Sequence, residues 1–253
     1  MARPAVDVAC VSKKFRTKTG EVTALRELTL EAATGERLGI VGRSGCGKST
    51  LLELVCGLQE PTTGTIAAGG GRSAAARLAQ CALMPQRDLL LPWRSALDNA
   101  ALAPELKGVR RREARAMAEP LFERFGLEEF SRAKPAELSG GMRQRVSFAR
   151  TLLAGKPVLL LDEPFGSLDS ITRAELQEWL DGALRAEPRT TLLVTHDVEE
   201  ALFLCDRVLI LSRRPGTVRA ELRAGLERSL PRSERVTSPE FTLLKERALE
   251  ALA

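Results

Sequence analysis

Gly42-Arg43-Ser44-Gly45-Cys46-Gly47-Lys48-Ser49-Thr50 is the stretch from which the rest of the chain can be read. An apolar run, Leu38-Gly39-Ile40-Val41, precedes it and predicts a buried strand. Leu51-Leu52-Glu53-Leu54-Val55-Cys56 follows, a helical pattern stopped by Gly57. Strand, glycine-rich loop, Lys-Ser and helix, in that order, make a phosphate-binding P-loop. Gly42, Gly45 and Gly47 admit backbone conformations closed to residues with a Cβ, and they allow close approach to an anion. The loop N–H groups and the helix N-terminus then point at negative charge. Lys48 is expected to reach the β- and γ-phosphates, and the Ser49 hydroxyl to ligate Mg²⁺. A lone GxGxxG could be a structural turn. The full motif in this setting implies a nucleoside triphosphate site across residues 42–50.

The 253 residues suit one large domain or two intimate subdomains. No apolar stretch approaches the ~18 residues of a membrane-spanning helix. Met1-Ala2-Arg3-Pro4 lacks the apolar core of a signal peptide, so the expected location is the cytoplasm. Five cysteines, at 10, 46, 56, 81 and 205, show neither a disulfide framework nor a zinc spacing. The net charge of +5 would suit nucleic acid or an anionic membrane. Acidic residues are nevertheless mixed in, as in Arg110-Arg111-Arg112-Glu113, and aromatics are too few for a stacking platform. No nucleic-acid partner is expected.

Residues 5–11 alternate as a half-buried strand does, with Phe15 beyond and a polar turn from Thr17 to Gly20. Periodicity alone would make Phe15 a core residue. Val22 to Leu30 predicts a second strand. After the P-loop helix, Pro61-Thr62-Thr63-Gly64 predicts a turn, and Ala67 to Ala76 a weakly specified loop. Cys81-Ala82-Leu83-Met84-Pro85-Gln86 is a short apolar strand ending at a polar amide. From about Ser95 to Phe130 the composition turns to Ala, Leu, Arg and Glu, which predicts a helical subdomain inserted into an α/β core. Leu138-Ser139-Gly140-Gly141-Met142 opens a helix with Met142, Val146, Ala149 and Leu153 on one face. Val158-Leu159-Leu160-Leu161-Asp162-Glu163 is an apolar strand ending on two carboxylates, and its continuous apolarity fits a central parallel strand. A helix near 173–186, the strand Thr191 to Thr195 and the strand Arg207 to Ser212 continue an alternating β/α order that implies a parallel sheet. Residues 213–253 read as peripheral, with a last amphipathic helix near 243–252.

In open parallel sheets ligands lie beyond the carboxyl ends of the strands. The P-loop, Gln86, Asp162-Glu163 and His196 all follow strands, so they should converge on one edge. Asp162 is suited to hold Mg²⁺ through water. Glu163, one residue on, faces differently and can deprotonate an attacking water. His196, the single histidine, is placed to touch the γ-phosphate. Cys46 lies near Lys48 and a helix N-terminus, which predicts a thiolate. Its alkylation should then block nucleotide binding, and bound Mg·ATP should protect it.

Leu138-Ser139-Gly140-Gly141-Met142, just upstream of the Asp162-Glu163 strand, resembles the signature of ATP-binding-cassette (ABC) ATPases. The resemblance runs from Phe15 to about residue 220. It implies a P-loop NTPase of the α/β class: a RecA-like, mostly parallel sheet core with N-terminal antiparallel strands and an inserted helical subdomain. The ATPase domain would span 1–225, with a catalytic core of 1–86 and 156–225, a helical subdomain of about 87–155, and a C-terminal helical extension of 226–253. By the same resemblance Phe15 stacks on adenine, Gln86 senses Mg²⁺ and the partner subunit, Glu163 is the general base and His196 the switch histidine. Ser167-Leu168-Asp169 becomes the loop linking two active sites. Ser139, Gly140 and Gly141 would bind the phosphate held by the other copy's P-loop, so that ATP joins a homodimer. Met142 stands where Gln is frequent, and Phe15 where Tyr is frequent; neither change removes a phosphate donor.

The run Gln86 to Asn99 with Glu105-Leu106-Lys107-Gly108, the Ser139 to Arg145 segment and the tail from Leu230 to Phe241 are similar to the ATPases of importers for nitrate, aliphatic sulfonates, taurine and thiamine-pyrimidine precursors. That resemblance implies two transmembrane permease subunits, a periplasmic or lipid-anchored solute-binding protein, and residence on the cytoplasmic face of the membrane. Leu91-Pro92-Trp93 would line a groove for a short permease helix. A soluble ABC-type ATPase of a non-transport machine and a small-molecule P-loop kinase are the alternatives. Copurification with a membrane protein separates the first, and loss of turnover on Ser139 substitution the second.

Overall fold

The computed structural model describes residues 4–18, 20–166, 168–186, 188–227 and 230–253. Ser167, residues 1–3 and Thr19 of the polar turn, all named above, lie outside the described residues. The strands are β1 (Val6–Thr17), β2 (Gly20–Ala32), β3 (Arg37–Val41), β4 (Thr63–Ala68), β5 (Cys81–Met84), β6 (Val158–Asp162), β7 (Thr190–Thr195), β8 (Arg207–Leu211) and β9 (Val218–Arg223). The α-helices are α1 (Lys48–Cys56), α2 (Ala74–Gln80), α3 (Ala96–Ala100), α4 (Leu102–Leu106), α5 (Arg111–Arg124), α6 (Gly140–Leu153), α7 (Ser170–Ala186), α8 (Val198–Leu204), α9 (Arg232–Thr237) and α10 (Pro239–Leu252).

The apolar runs become the middle of a six-stranded sheet in the order β5-β6-β7-β3-β8-β9. All its pairs are parallel except β8 with β9. Alternate side chains explain the continuous apolarity. Val158 and Leu160 pack with Leu38, Ile40 and α1 on one face, against the antiparallel sheet. Leu159 and Leu161 pack on the other, with Phe148, Phe165 and the helices. Each such leucine contributes roughly 1.5–3 kcal/mol by leaving water. The three-stranded antiparallel sheet, β2-β1-β4, flanks this core. The α/β class, the parallel core and the N-terminal antiparallel strands agree with the expectation.

Three expectations need correction. Thr63 and Gly64 begin β4 rather than forming a turn. Gly64 has φ +87, and a Cβ there would meet the Cys10 carbonyl oxygen at 2.4 Å, so glycine is what lets β4 pair with the bulged β1. The stretch from Ala67 to Ala76 is not a loop. It holds the end of β4, a glycine turn, and the start of α2, capped by the Ser73 hydroxyl accepting from the Ala76 N–H. Alanine is the best helix former, so an Ala-rich run with a serine cap propagates once α2 has a surface to pack on.

The third correction concerns residues 213–253. β9 completes the sheet, and Phe241, Leu244 and Ala248 of α10 belong to the same core as β6. The attachment is also ionic. Asp181 on α7 is buried between Arg37 Nη1 at 2.6 Å and Arg235 Nη1 at 3.0 Å. Arg235 in addition lies 4.2 Å from the Phe203 ring centroid. Strand β3, helix α7 and the C-terminal segment therefore share one buried carboxylate.

Between β5 and β6, Asp98 does similar work. Its oxygens accept from Arg111 and Arg115 at 2.7–3.1 Å, tying α3 to α5, and these guanidinium groups hold its carboxyl well below the usual carboxylate range. The buried Asn99 amide accepts from the Leu91 N–H at 2.7 Å and donates to the Leu91 carbonyl at 3.1 Å. That fixes the turn that presents Trp93, 70% exposed. Removing one member of a buried ion network strands the other charges. Asp181→Ala should therefore lower the unfolding free energy by about 3–5 kcal/mol, measured by urea denaturation; a change below about 1 kcal/mol would show that the C-terminal segment is held by apolar contacts alone.

Candidate functional site

Parallel pairing sets Val41 opposite Thr195 and Asp162 opposite Val194. The segments after β3, β5, β6 and β7 therefore leave the sheet side by side. The P-loop wraps the start of α1 with Gly47 at φ +108. A Cβ on Gly47 would sit 2.7 Å from Leu25 Cδ2 and 2.9 Å from the Ala24 carbonyl oxygen, so only glycine fits between loop and β2. Lys48 is buried, and its ammonium donates to the carbonyls of Gly42 at 2.7 Å and Arg43 at 3.3 Å, at the mouth of the loop.

Beside the loop lies a cavity of about 430 Å³, lined by Phe15, Ser44, Gly45, Gly47, Lys48, Ser49, Thr50, Gln86, Glu163 and Arg214, among others. Phe15 belongs to neither apolar core and lines this cavity, with the Lys13 ammonium 5.1 Å from its ring centroid. Its reading as a core residue is thereby corrected. Arg214 was missed. It sits in the turn after β8, donates through Nε to the Gly45 carbonyl at 2.9 Å, and brings a second cation to the cavity. The rule of strand carboxyl ends would have found it, because β8 pairs directly with β3.

Glu163 is the best-held group of the site. Its N–H donates to the Val194 carbonyl at 2.8 Å. Its Oε2 accepts from Gln86 Nε2 at 3.2 Å and lies 3.3 Å from His196 Nδ1. Its φ of +49 is a left-handed conformation that costs a residue with a side chain about 1–3 kcal/mol. Asp162, one residue earlier, is buried. Burial pushes its carboxyl up, against a hydrogen bond from Ser49, and the neighbouring Glu163 charge adds to the rise. A hydroxyl, a buried carboxylate and the Gln86 amide form an all-oxygen donor set that fits a hard divalent cation completed by phosphate oxygens.

The signature residues stand elsewhere. Ser139 caps α6, its hydroxyl accepting from the Met142 N–H at 3.2 Å. Gly140 lines a separate cavity with Arg87, Arg143 and Gln144, although Gln86 touches both. Ser139, Gly140, Gly141 and Asp169 do not line the P-loop cavity of their own chain. Asp169 accepts from the Ile171 and Thr172 N–H groups at 3.1 and 3.0 Å, at the start of α7. These backbone donors hold its carboxyl below the ordinary value.

The thiolate reading of Cys46 is overturned. The side chain is buried against Gly42 and Leu211, inside the core under the loop. Burial raises its thiol pKa more than Lys48 and the backbone lower it. Maleimide should modify the exposed Cys10 first and Cys46 at a slow rate whether or not Mg·ATP is added; fast labelling of Cys46, mapped by mass spectrometry, would restore the thiolate.

Glu200, in α8 behind His196, was also missed. Burial, helped by the Asp197 charge, pushes its carboxyl from 4.5 up to about 8. Because this folded value lies above the unfolded one, the protonated group favours the fold, and that contribution is lost as pH rises from about 4.5 to 8. Relative to Glu200→Gln, the chain should lose up to about 1.4 kcal/mol of stability per pH unit across that window. A pH-independent difference in urea midpoint would contradict it.

A family profile described as "ABC transporter" matches residues 25–166, over half of the chain. The aliphatic sulfonates import ATP-binding protein SsuB 1 of Rhodococcus jostii is 46% identical over 207 residues, covering 82% of this chain and 79% of that protein. The nitrate import ATP-binding protein NrtD of Synechococcus elongatus is 40% identical over 248 residues, covering 96% and 89%. The dimeric post-hydrolysis structure of the ATP-binding cassette MJ0796 bound to ADP and Pi superposes with a TM-score of 0.80 at 30% identity, over 87% of this chain and 98% of that one. With the P-loop, the apolar strand into Asp162-Glu163 and the capped α6 all in the fold, the chain belongs to the ABC transporter family, as an ATP-binding and ATP-hydrolysing cassette.

Proposed function

We propose that this cassette powers bacterial uptake of a small solute, of the kind named for its relatives: nitrate, a sulfonate such as taurine, or a pyrimidine precursor. Two copies of the cassette would bind two permease subunits on the cytoplasmic face of the membrane, supplied by a solute-binding protein. Residues 87–155 act as the subdomain that faces the permease, and 226–253 as a C-terminal extension. Leu89, Trp93 and Leu106, all exposed and apolar, support a docking surface for a permease helix.

The observation that carries the catalytic reading is the Glu163 carboxylate, held by Gln86 and His196 at the edge of the P-loop cavity. Lys48, the loop amides and Arg214 bind and orient the phosphates, and Phe15 stacks on the adenine. Ser49 and Asp162, with Gln86, would hold Mg²⁺, which would supply charge neutralisation to the bound triphosphate. Glu163 takes the proton of the attacking water, and His196 orients the carboxylate and the γ-phosphate. Ser139, Gly140 and Gly141 offer the start of α6 to the phosphate of the other copy, because the first N–H groups of a helix have no intrahelical acceptor. Asp169 stands in the segment between the two sites.

Glu163→Gln should keep ATP affinity and slow steady-state hydrolysis by roughly 10²–10⁴, the usual worth of a general base. Turnover near the wild-type rate would remove Glu163 from that role.

A further inference from the structure

The side-chain contacts of Glu163 explain where its carboxylate is held, but not what keeps its backbone in a left-handed conformation. Its N–H is taken by β7 through Val194. Its carbonyl oxygen accepts from Gln144 Nε2 at 2.9 Å and, within the turn, from the Gly166 N–H at 3.2 Å. Gln144 is buried on α6, five residues after the Ser139 cap. A carbonyl can only accept, so the amide group of Gln144 is oriented with its NH₂ toward Glu163. One helical turn further, Phe148 packs edge-on against Phe165, with centroids 6.1 Å apart. Helix α6 thus grips the Glu163–Phe165 turn twice, once by packing and once by a directional bond to the peptide of the reacting residue.

We propose that Gln144 is a positioning residue for hydrolysis. It fixes the plane of the peptide after Glu163, and with it the direction in which the carboxylate leaves the backbone. Because Gln144 and Ser139 share the first turns of one helix, a shift of the α6 N-terminus moves the Glu163 peptide. The orientation of the general base in one copy then depends on whether its α6 is seated on the nucleotide of the other. This rests on the reading of Glu163 as base and of the α6 start as a contact in trans.

The test is ATP turnover by the full-length chain in complex with the membrane subunits it copurifies with, alongside equilibrium binding of a fluorescent ATP analogue. Gln144→Met keeps the volume but has no donor. It should lower kcat by roughly 10–100-fold, the cost of a small misplacement of a reacting group, with analogue affinity within about twofold of wild type. Gln144→Glu brings an acceptor against the carbonyl at high pH and a donor once it is protonated. Burial raises its pKa, so its kcat relative to wild type should climb severalfold as pH falls from about 8 to 6. Because a buried carboxyl also gains stability as it is protonated, the urea midpoint of Gln144→Glu is measured at both pH values, and the climb in kcat is read only where the chain is fully folded throughout. Wild-type kcat in both variants, or a kcat ratio for Gln144→Glu that is flat in pH, would overturn the proposal. Glu163→Gln run in parallel separates the two failures: normal turnover there removes the base and the tether together, whereas abolished turnover with unimpaired Gln144 variants removes the tether alone.

Discussion

Parallel pairing of four buried strands is the constraint from which the site follows. Asp162, the P-loop and His196 come from segments far apart in the chain, and they meet because β6, β7 and β3 run the same way in matched register. The register is set by packing rather than by the site. A slip of one residue would turn Leu159 and Leu161 onto the face that Val158 and Leu160 now fill, with both faces already close-packed. The hydrophobic effect on two faces thus aligns polar groups that would otherwise repel.

Charge repulsion is concentrated at the same sheet edge. Burial raises the carboxyls of Asp162 and Glu200, and the charge of Glu163 near each acts in the same direction. Opposing them are Lys48, Arg214 and the start of α1, all directed at the P-loop cavity. A triphosphate with its cation is the ligand class that satisfies both sets, because it carries negative charge to the lysine and positive charge to the aspartate. Glu163 differs from Asp162 by one residue and one backbone conformation. That difference sends one carboxylate to the Ser49 hydroxyl and the other to Gln86 and His196.

Much of this was legible in the sequence because the signals were local. The P-loop, the apolar run into Asp162-Glu163 and the Ser139 cap each occupy a few consecutive residues. The convergence of the first two with Gln86 and His196 followed from the strand rule alone. What escaped detection was non-local. Arg235 and Asp181 are charged residues that would be assigned to the surface, and only their mutual burial with Arg37 makes them interior. Cys46 looked activated by its neighbours, but sequence does not give depth, and depth decides a thiol pKa. Helix α2 carried too few large apolar residues to register a period. Gln144 gave no signal either, since its partner is a backbone carbonyl 19 residues away.

In the proposed dimer the P-loop of one copy and the α6 N-terminus of the other bind the same nucleotide. The molar mass of the Glu163→Gln chain by light scattering tests it most directly, with and without saturating Mg·ATP. The mass should double only with the nucleotide, and the doubling should be lost when Ser139 is replaced by a bulky residue. A chain that stays monomeric at saturation, alone and with its membrane partner, would contradict it.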